Sequence, residues 1–276
     1  MQPAEQSSPL RHAVALGLLH GPTELLPISS SAHTTLLPWL LDWPYAHLDG
    51  QQRKAFEVAL HAGAGAALAI HLRRELLRDL KGLDARRLGV IALSLAPPAL
   101  VGYLLEQPIE RRLGGPRSIA AGLALGAVAM ALADGRRCAA AKGPPRAQDD
   151  ATAGDGLALG LAQAAALMPG VSRNGATLTA ARTRGFSRGA AQALSWHAGL
   201  PVIAAASVLE GARARRDGGP RQERLTQLTG AASAFASTLA VARLLRHRLR
   251  EGQALWPYAL YRAALAALVV SRLRAQ

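Results

Sequence analysis

Two polar stretches interrupt apolar segments of this chain, and each combines proline with a cluster of hydroxyl groups. The first is GPTELLPISSSAH, residues 21–33, and the second is PGVSRNGAT, residues 169–177. The first also carries a carboxylate and an imidazole, and the second carries a guanidinium. An ionisable side chain inside a membrane costs about 2.5–3.5 kcal/mol, which makes such a residue a functional candidate. We therefore predict that the two stretches are halves of one phosphate-binding site.

The first stretch has the pattern of a helix that stops and starts again. Pro22 and Pro27 are expected to prevent one continuous helix here, because proline has no N–H to donate and its ring clashes with the preceding turn. Ser29 has a side chain preferred at the N-cap of a new helix, with Ser30 and Ser31 in its first turn. The N–H groups at a helix start bind anions, so this turn suits a phosphate.

The second stretch repeats this arrangement. Pro169 and Gly170 break a helix, and Ser172 begins the next one. Arg173 adds a planar cation that can bind a phosphate through two parallel hydrogen bonds.

Acid–base and metal-binding candidates lie in and around the first stretch. His20 precedes Glu24 by four residues, so a helix would place both on one face. A carboxylate beside phosphates is repulsive without a cation, so Glu24 is predicted to bind a divalent metal ion or to act as a general base. Glu57 is a second carboxylate in an apolar run and could reach the same site. His33 follows Ser30 by three residues, close enough to act on its hydroxyl or on phosphorus itself.

The segments that position these residues are predicted to span a membrane. Apolar runs alternate with arginine-rich connectors, and the runs approach the roughly 17–25 residues that cross a bilayer. A soluble helical bundle would carry charged residues every three or four positions, whereas residues 118–133 contain none. The mean hydropathy of +0.13 averages these runs with their connectors. The chain is therefore predicted to be all-α and polytopic, with about six transmembrane helices.

The basic charge of the chain indicates lipid rather than nucleic acid as a partner. The net charge is +14, but the basic residues are spread over nearly every connector, and four Tyr and three Phe offer little base stacking. Anionic lipid headgroups attract such connectors. The pattern therefore predicts no nucleic acid partner, and it indicates no particular oligomeric state.

The two halves of the chain resemble each other weakly. Residues 10–133 and 154–274 each contain a proline break with a serine, and the hydrophilic loop 134–155 joins them. The tripeptide His-Ala-Gly also occurs in each half, beginning at His61 and at His197, and these histidines are expected either to line the site or to bond between helices. This pattern predicts a single membrane domain built as an inverted repeat with two re-entrant broken helices.

Four motifs, in this order and spacing, resemble those of the bacterial undecaprenyl-pyrophosphate phosphatases, the bacitracin-resistance proteins. They are GPTELLPISSSAH, FEVALHAG, PGVSRNGAT and GFSRGAAQALSWHAGLP, and the resemblance extends from about residue 17 to residue 262. It implies a multi-pass enzyme of the bacterial plasma (inner) membrane that hydrolyses undecaprenyl pyrophosphate to undecaprenyl phosphate and inorganic phosphate. The reaction recycles the lipid carrier of peptidoglycan synthesis, and a divalent cation, Mg²⁺ or Ca²⁺, is implied as cofactor.

The resemblance also implies residue roles. Glu24 becomes the residue that binds the metal or acts as the base, and Ser30 or His33 becomes the group that attacks phosphorus. Arg173 completes the predicted catalytic set. The residues implied to hold the phosphates are Ser29, Ser31, Ser172, Arg173 and Thr177, and we predict that His20 and Asn174 also bind the substrate.

Three residues depart from the commonest family pattern. His20 stands where Glu or Gln is typical, Asn174 replaces a serine, and Ala32 replaces a glycine. Imidazole is a poor ligand for Mg²⁺, which prefers oxygen. A metal site with two carboxylates therefore requires Glu57 in this chain.

An alternative function is transport or flipping of a polyprenyl phosphate through the same cavity. Broken helices with N-termini aimed at an anion are common in transporters. The combination of Glu24, Ser30, His33 and Arg173 favours hydrolysis, because binding alone needs no nucleophile beside a base.

Overall fold

The computed structural model of this chain describes residues 3–48, 50–135, 144–217, 220–246 and 252–275. The secondary structure in these ranges is helical, apart from an isolated bridge between Arg146 and Phe186, and this confirms the predicted all-α class. Part of the predicted connecting loop, residues 136–143, lies outside the described ranges. The α-helices are α1 (Pro3–Leu25), α2 (Ser30–Leu40), α3 (Gly50–His71), α4 (Arg73–Lys81), α5 (Ala85–Leu113), α6 (Pro116–Gly135), α7 (Ala153–Ala165), α8 (Arg173–Thr183), α9 (Arg188–Asp217), α10 (Arg221–Leu244) and α11 (Trp256–Arg274).

Several of these helices are long and apolar enough to cross a bilayer, as a polytopic membrane protein requires. Four segments among the described residues qualify: Ala85–Leu105, Pro116–Asp134, Arg188–Arg213 and Arg221–Leu244. A fifth span results if α3 and α4, which only Leu72 separates, are counted as one broken span. The last apolar run of the sequence, residues 255–270, forms part of α11, which contains Arg262 and is not among the segments that qualify.

The helices form two compact units. Unit 1 comprises Met1–Leu25, His33–Arg73 and Leu200–Leu244, and in it α1 and α3 pack against α10. Its core includes Leu16, Phe56 and Leu60. Unit 2 comprises Leu26–Ala32, Arg74–Gly199 and Leu245–Gln276; in it α7 packs against α5, and α6 packs against α11. Its core includes Met130, Leu178 and Phe186.

The predicted interruption of the first stretch is present, and it lies at Pro27 and not at Pro22. Helix α1 continues through Pro22 to Leu25, although proline cannot donate to the carbonyl of Leu18 four residues earlier. The hydroxyl of Ser237, on α10, donates to that carbonyl instead, at 2.6 Å. Since the freed backbone acceptor is satisfied by a neighbouring helix, the helix survives the proline. The break comes in residues 26–29, around Pro27, as the second proline predicted.

The helices that follow the two breaks, α2 and α8, begin in the same way. Ser29 precedes α2 and Ser172 precedes α8, and both serines have positive φ angles, 75° and 23°. Each hydroxyl oxygen accepts a hydrogen bond from the N–H three residues later, Ala32 at 3.4 Å and Gly175 at 3.1 Å. The predicted helix starts are therefore present, each in a backbone conformation that is strained for a serine.

Candidate active site

One buried arginine bonds to the backbone of both breaks. Arg262, on α11, is fully buried in unit 2. Its Nη2 donates to the carbonyl oxygens of Gly170 at 2.9 Å and Gly122 at 3.2 Å, and its Nη1 donates to that of Pro27 at 3.4 Å. A single guanidinium thus holds the backbone before α2 and the backbone before α8 in one place.

The first turn of α2 brings hydroxyl groups to one of these breaks. Ser29 and Ser30 are buried, and the Ser29 Oγ lies 3.3 Å from the Ser31 Oγ. The N–H groups of the first helical residues have no intrahelical acceptor, and the helix dipole favours an anion there. This turn can therefore contribute both hydroxyl and backbone N–H donors to a phosphate.

The first residue of α8 is Arg173, and its guanidinium lies against Gly199 of α9. A Cβ at Gly199 would collide with the Nη1 of Arg173. Gly199, the glycine of the second His-Ala-Gly tripeptide, therefore leaves room for the side chain of Arg173. A half-buried guanidinium at a helix N-terminus combines two anion-binding features.

Two predicted substrate-binding residues take part in a buried hydrogen-bond chain. Ser195, on α9, donates to the Oδ1 of Asn174 at 2.8 Å, and its Oγ lies 2.6 Å from the Oγ1 of Thr177. All three side chains are at least 97% buried. The observed bonds hold α8 against α9. Asn174, which replaces a serine of the family pattern, acts as an acceptor in this chain.

Unit 1 contains a carboxylate between two imidazoles. The Oε2 of Glu24 lies 3.9 Å from the Nε2 of His20 and 3.4 Å from the Nε2 of His61. The two rings meet edge to face, with centroids 4.5 Å apart. The predicted spacing of His20 and Glu24 on one helix face is therefore present, and His61 joins them from α3. The contact joins α3 to α1, as the helix–helix alternative for His61 predicted, and it also places His61 beside a predicted site residue.

The carboxylate of Glu57 is directed to another partner. Its Oε1 accepts a hydrogen bond from the Thr35 hydroxyl at 3.1 Å, and its backbone carbonyl lies 2.8 Å from the Nδ1 of His61. Among the described residues, the group able to hold a metal ion is His20, Glu24 and His61. Two nitrogens and one carboxylate do not fit Mg²⁺ or Ca²⁺, which take oxygen ligands.

The remaining predicted histidines are placed differently. His33 is buried on α2, three positions after Ser30, a spacing that puts both on one face of that helix. His197 bonds to Asp79 of α4 at 2.6 Å and to Gln148 at 3.1 Å. For His197, bonding between elements is therefore the observed alternative.

Asp155 connects the start of α7 to the end of α8. It lies in the first turn of α7 and is buried. Arg146 binds both of its carboxylate oxygens, at 2.6 and 3.1 Å, and Arg184, just after α8, bonds to Oδ1. Burial alone would raise the pKa of Asp155, but hydrogen bonds from Arg146, the Thr152 backbone and Arg184 outweigh it and hold that pKa well below its usual value.

Sequence comparison finds similar proteins along nearly the whole chain. The sequence profile of the family described as "Bacitracin resistance protein BacA" matches residues 13–268. An undecaprenyl-diphosphatase of Geobacter sulfurreducens is 38% identical over 281 residues, which cover 97% of this chain and 99% of that protein. A protein of the same description from Thermomicrobium roseum is 38% identical, covering 92% and 94%. Another, from Pelotomaculum thermopropionicum, is 34% identical, covering 95% and 97%.

Proposed function

The chain belongs to the bacitracin resistance protein BacA family, and from this premise we propose that it hydrolyses undecaprenyl pyrophosphate to undecaprenyl phosphate and inorganic phosphate. The relatives that match over nearly their full length are described as undecaprenyl-diphosphatases. The structural observation that supports the proposal most is the bonding of Arg262 to both breaks, because it places two anion-binding helix starts in one unit.

The substrate explains why this hydrolase lies in a membrane. Undecaprenyl pyrophosphate has a long apolar tail that lies in the bilayer, and the chain has four described helices able to cross one. We place the protein in the bacterial plasma membrane, where the lipid carrier of peptidoglycan synthesis is recycled. Release of the carrier as its monophosphate supplies cell-wall synthesis and counteracts bacitracin.

The pyrophosphate is bound, in this proposal, by the starts of α2 and α8. Arg173 donates two parallel hydrogen bonds to phosphate oxygens, and the first-turn groups of Ser29, Ser30, Ser31 and Ser172 add neutral donors. Donors fixed in a water-poor site stabilise charge that develops on phosphorus oxygens in the transition state. Asn174 and Thr177 position α8 through Ser195.

The chemistry is assigned to Glu24, Ser30 and His33. The Oγ of Ser30 or a ring nitrogen of His33 attacks the terminal phosphorus, the bridging P–O bond breaks, and undecaprenyl phosphate leaves. Water then attacks the phosphoryl-enzyme and releases inorganic phosphate. When Ser30 attacks, His33 is proposed to accept its proton, and Glu24 either binds a metal ion or acts as the base, as the resemblance implies.

The two nucleophiles can be distinguished chemically. A quench during turnover with substrate labelled in the terminal phosphate would trap the phosphoryl-enzyme. A phosphoserine survives acid and a phosphohistidine does not, so acid-stable label lost in Ser30→Ala assigns Ser30. Acid-labile label lost in His33→Ala assigns His33.

The proposal is tested by phosphate release from undecaprenyl pyrophosphate by the purified protein in detergent. We expect release by the wild type, near-complete loss in Arg173→Ala, and no loss in Arg117→Ala, which removes an exposed arginine. A wild type that binds the lipid but releases no phosphate with any divalent ion would contradict hydrolysis. That result would favour the transport alternative, for which the descriptions of the relatives give no support.

A further inference from the structure

His20 is a buried polar side chain whose ring nitrogens have no hydrogen-bond partner among the described residues. The Oε2 of Glu24, at 3.9 Å, is beyond hydrogen-bond distance of its Nε2. A buried polar group without a partner destabilises the fold, because it has lost its hydrogen bonds to water. A ligand that binds one of these nitrogens would remove that destabilisation.

His61 presents a ring nitrogen to the same carboxylate. Its Nδ1 lies 2.8 Å from the backbone carbonyl oxygen of Glu57. Because a carbonyl only accepts, Nδ1 carries a hydrogen in this contact, which leaves Nε2 as the ring nitrogen able to bind a metal ion. That Nε2 lies 3.4 Å from the Oε2 of Glu24. Metal-binding histidines usually donate their other nitrogen to a carbonyl or carboxylate in this manner.

The donor atoms of this cluster select the class of ion. One ligand atom each from His20, Glu24 and His61 lies within 4.8 Å of the other two. Imidazole suits zinc, copper, iron and nickel, whereas Mg²⁺ and Ca²⁺ prefer carboxylates, carbonyls and water. We propose that His20, Glu24 and His61 bind a late first-row divalent metal ion, such as Zn²⁺, in preference to Mg²⁺ and Ca²⁺. The proposal concerns binding and stands independently of the hydrolytic activity.

The spacing of the atoms agrees with a zinc site. In a tetrahedral site with bonds of about 2.0–2.1 Å, ligand atoms lie about 3.3 Å apart. Glu24 and His61 already have this separation, at 3.4 Å, and His20 and Glu24 are slightly further apart, at 3.9 Å. All three ligand atoms lie within 4.8 Å of one another, so binding requires a side-chain rotation that moves His20 towards the other two. Two histidines and one glutamate also leave a fourth position for an oxygen ligand, as in zinc sites of this composition.

Cobalt gives a direct readout of such a site. The whole chain, purified in detergent and stripped of metal with a chelator, is titrated with Co²⁺, whose visible absorption is strong at four-coordinate sites with nitrogen ligands. We expect saturation at one ion per chain, loss of the absorption on adding stoichiometric Zn²⁺, and no loss in a large excess of Mg²⁺ or Ca²⁺. Absence of the absorption, or its loss on adding Mg²⁺ or Ca²⁺, overturns the proposal.

Variants identify the ligands. His20→Ala and His61→Ala should each weaken Zn²⁺ binding by about 100-fold or more, since loss of an outer partner of a ligand already costs up to that much. His71→Ala, on the same helix as His61, is the matched control and should bind as the wild type does. His20→Glu replaces a nitrogen donor by an oxygen donor and should allow Mg²⁺ and Ca²⁺ to compete with Co²⁺.

Unchanged Zn²⁺ affinity in both alanine variants contradicts the proposal. The wild-type titration decides the question even if a variant fails to fold. Phosphate release is recorded in parallel with the titration. A chain that releases phosphate without binding Zn²⁺ contradicts this proposal alone, and a chain that binds Zn²⁺ without releasing phosphate contradicts the proposed hydrolysis alone.

Discussion

The Nη2 of Arg262 donates a hydrogen bond to the carbonyl oxygen of Gly170 at 2.9 Å, so a buried cation on α11 holds the break between α7 and α8. The Nη1 of the same side chain lies 3.4 Å from the carbonyl oxygen of Pro27, in the break between α1 and α2. Carbonyl dipoles satisfy the charge from several sides, which explains how a full cation is accommodated in a buried position. The helix starts proposed to bind the substrate therefore depend on a residue that is not proposed to touch it.

We expect Arg262→Met to lower the free energy of unfolding by about 2–4 kcal/mol, because several buried carbonyl groups lose their donor and removal of the buried charge offsets only part of that loss. It should also abolish phosphate release. Arg262→Lys keeps the charge but not the planar fork, so its loss should be intermediate. Unfolding in detergent and phosphate release measure both effects, with the exposed Arg274→Met as control. A Met variant as stable and active as the wild type contradicts the role of Arg262.

The hydroxyl of Ser237 replaces the backbone donor that Pro22 lacks, and a double-mutant cycle tests this. Ser237→Ala should cost about 0.6–1.7 kcal/mol of unfolding free energy, the range for hydrogen bonds between membrane helices. In a Pro22→Ala background the new N–H can bond to Leu18, so the same substitution should cost close to nothing. Equal costs in the two backgrounds would show that Ser237 does not compensate for the proline.

Gly199 leaves space for Arg173, so a single methyl group there should harm activity. We expect Gly199→Ala to lower kcat/KM at least about tenfold, since a shift of the guanidinium weakens a charge-assisted hydrogen bond. Gly211→Ala, on the same helix, is the matched control, because a Cβ there meets nothing within 4 Å. Equal activity of the two variants, measured by phosphate release, would contradict the proposal that Arg173 binds the substrate in this position.

Asp155 should stabilise the fold only while it is ionised. Its pKa is depressed in the folded state, so its contribution is fully present above the pKa of about 3.9 that an unfolded Asp has, and it is lost as the pH falls towards the folded pKa. We expect Asp155→Asn to lower the unfolding free energy by up to about 3 kcal/mol at pH 7, because the two arginines keep charges without a partner. Thermal unfolding of both proteins in detergent measures this. The difference should stay constant between about pH 5 and 8 and shrink below about pH 4; a difference that grows in acid contradicts the assignment.

The helix starts could be predicted from the sequence, because they depend on residues that are close together in the chain. Ser29 and Ser172 were expected at helix starts because serine caps a helix with its own hydroxyl, and both do so. Which of the two prolines interrupts the helix could not be predicted, because Ser237, on a helix far along the chain, satisfies the carbonyl that Pro22 leaves without a donor. No local pattern reveals such a partner.

The contacts of the candidate site were also predictable only where they are local in sequence. His20 and Glu24 share a helix, so their spacing predicted their proximity. The choice of His61 over the Glu57 carboxylate depends on the rotation of α3, which packing decides: Phe56 is in the core of unit 1, and a Cβ at Gly63 would meet the backbone of Ala231. Arg262 was not predicted, although a lone arginine in the last apolar run was a usable signal.

The most direct test of the account is the affinity of the purified protein for an analogue of undecaprenyl pyrophosphate whose bridging oxygen is a methylene group. This analogue cannot be hydrolysed, so binding is measured without chemistry. We predict that Arg173→Ala weakens its binding by about 10–150-fold, the equivalent of about 1.5–3 kcal/mol for a charged hydrogen bond, and that Arg117→Ala has no effect. Unchanged affinity in Arg173→Ala would contradict the claim that the start of α8 binds the pyrophosphate.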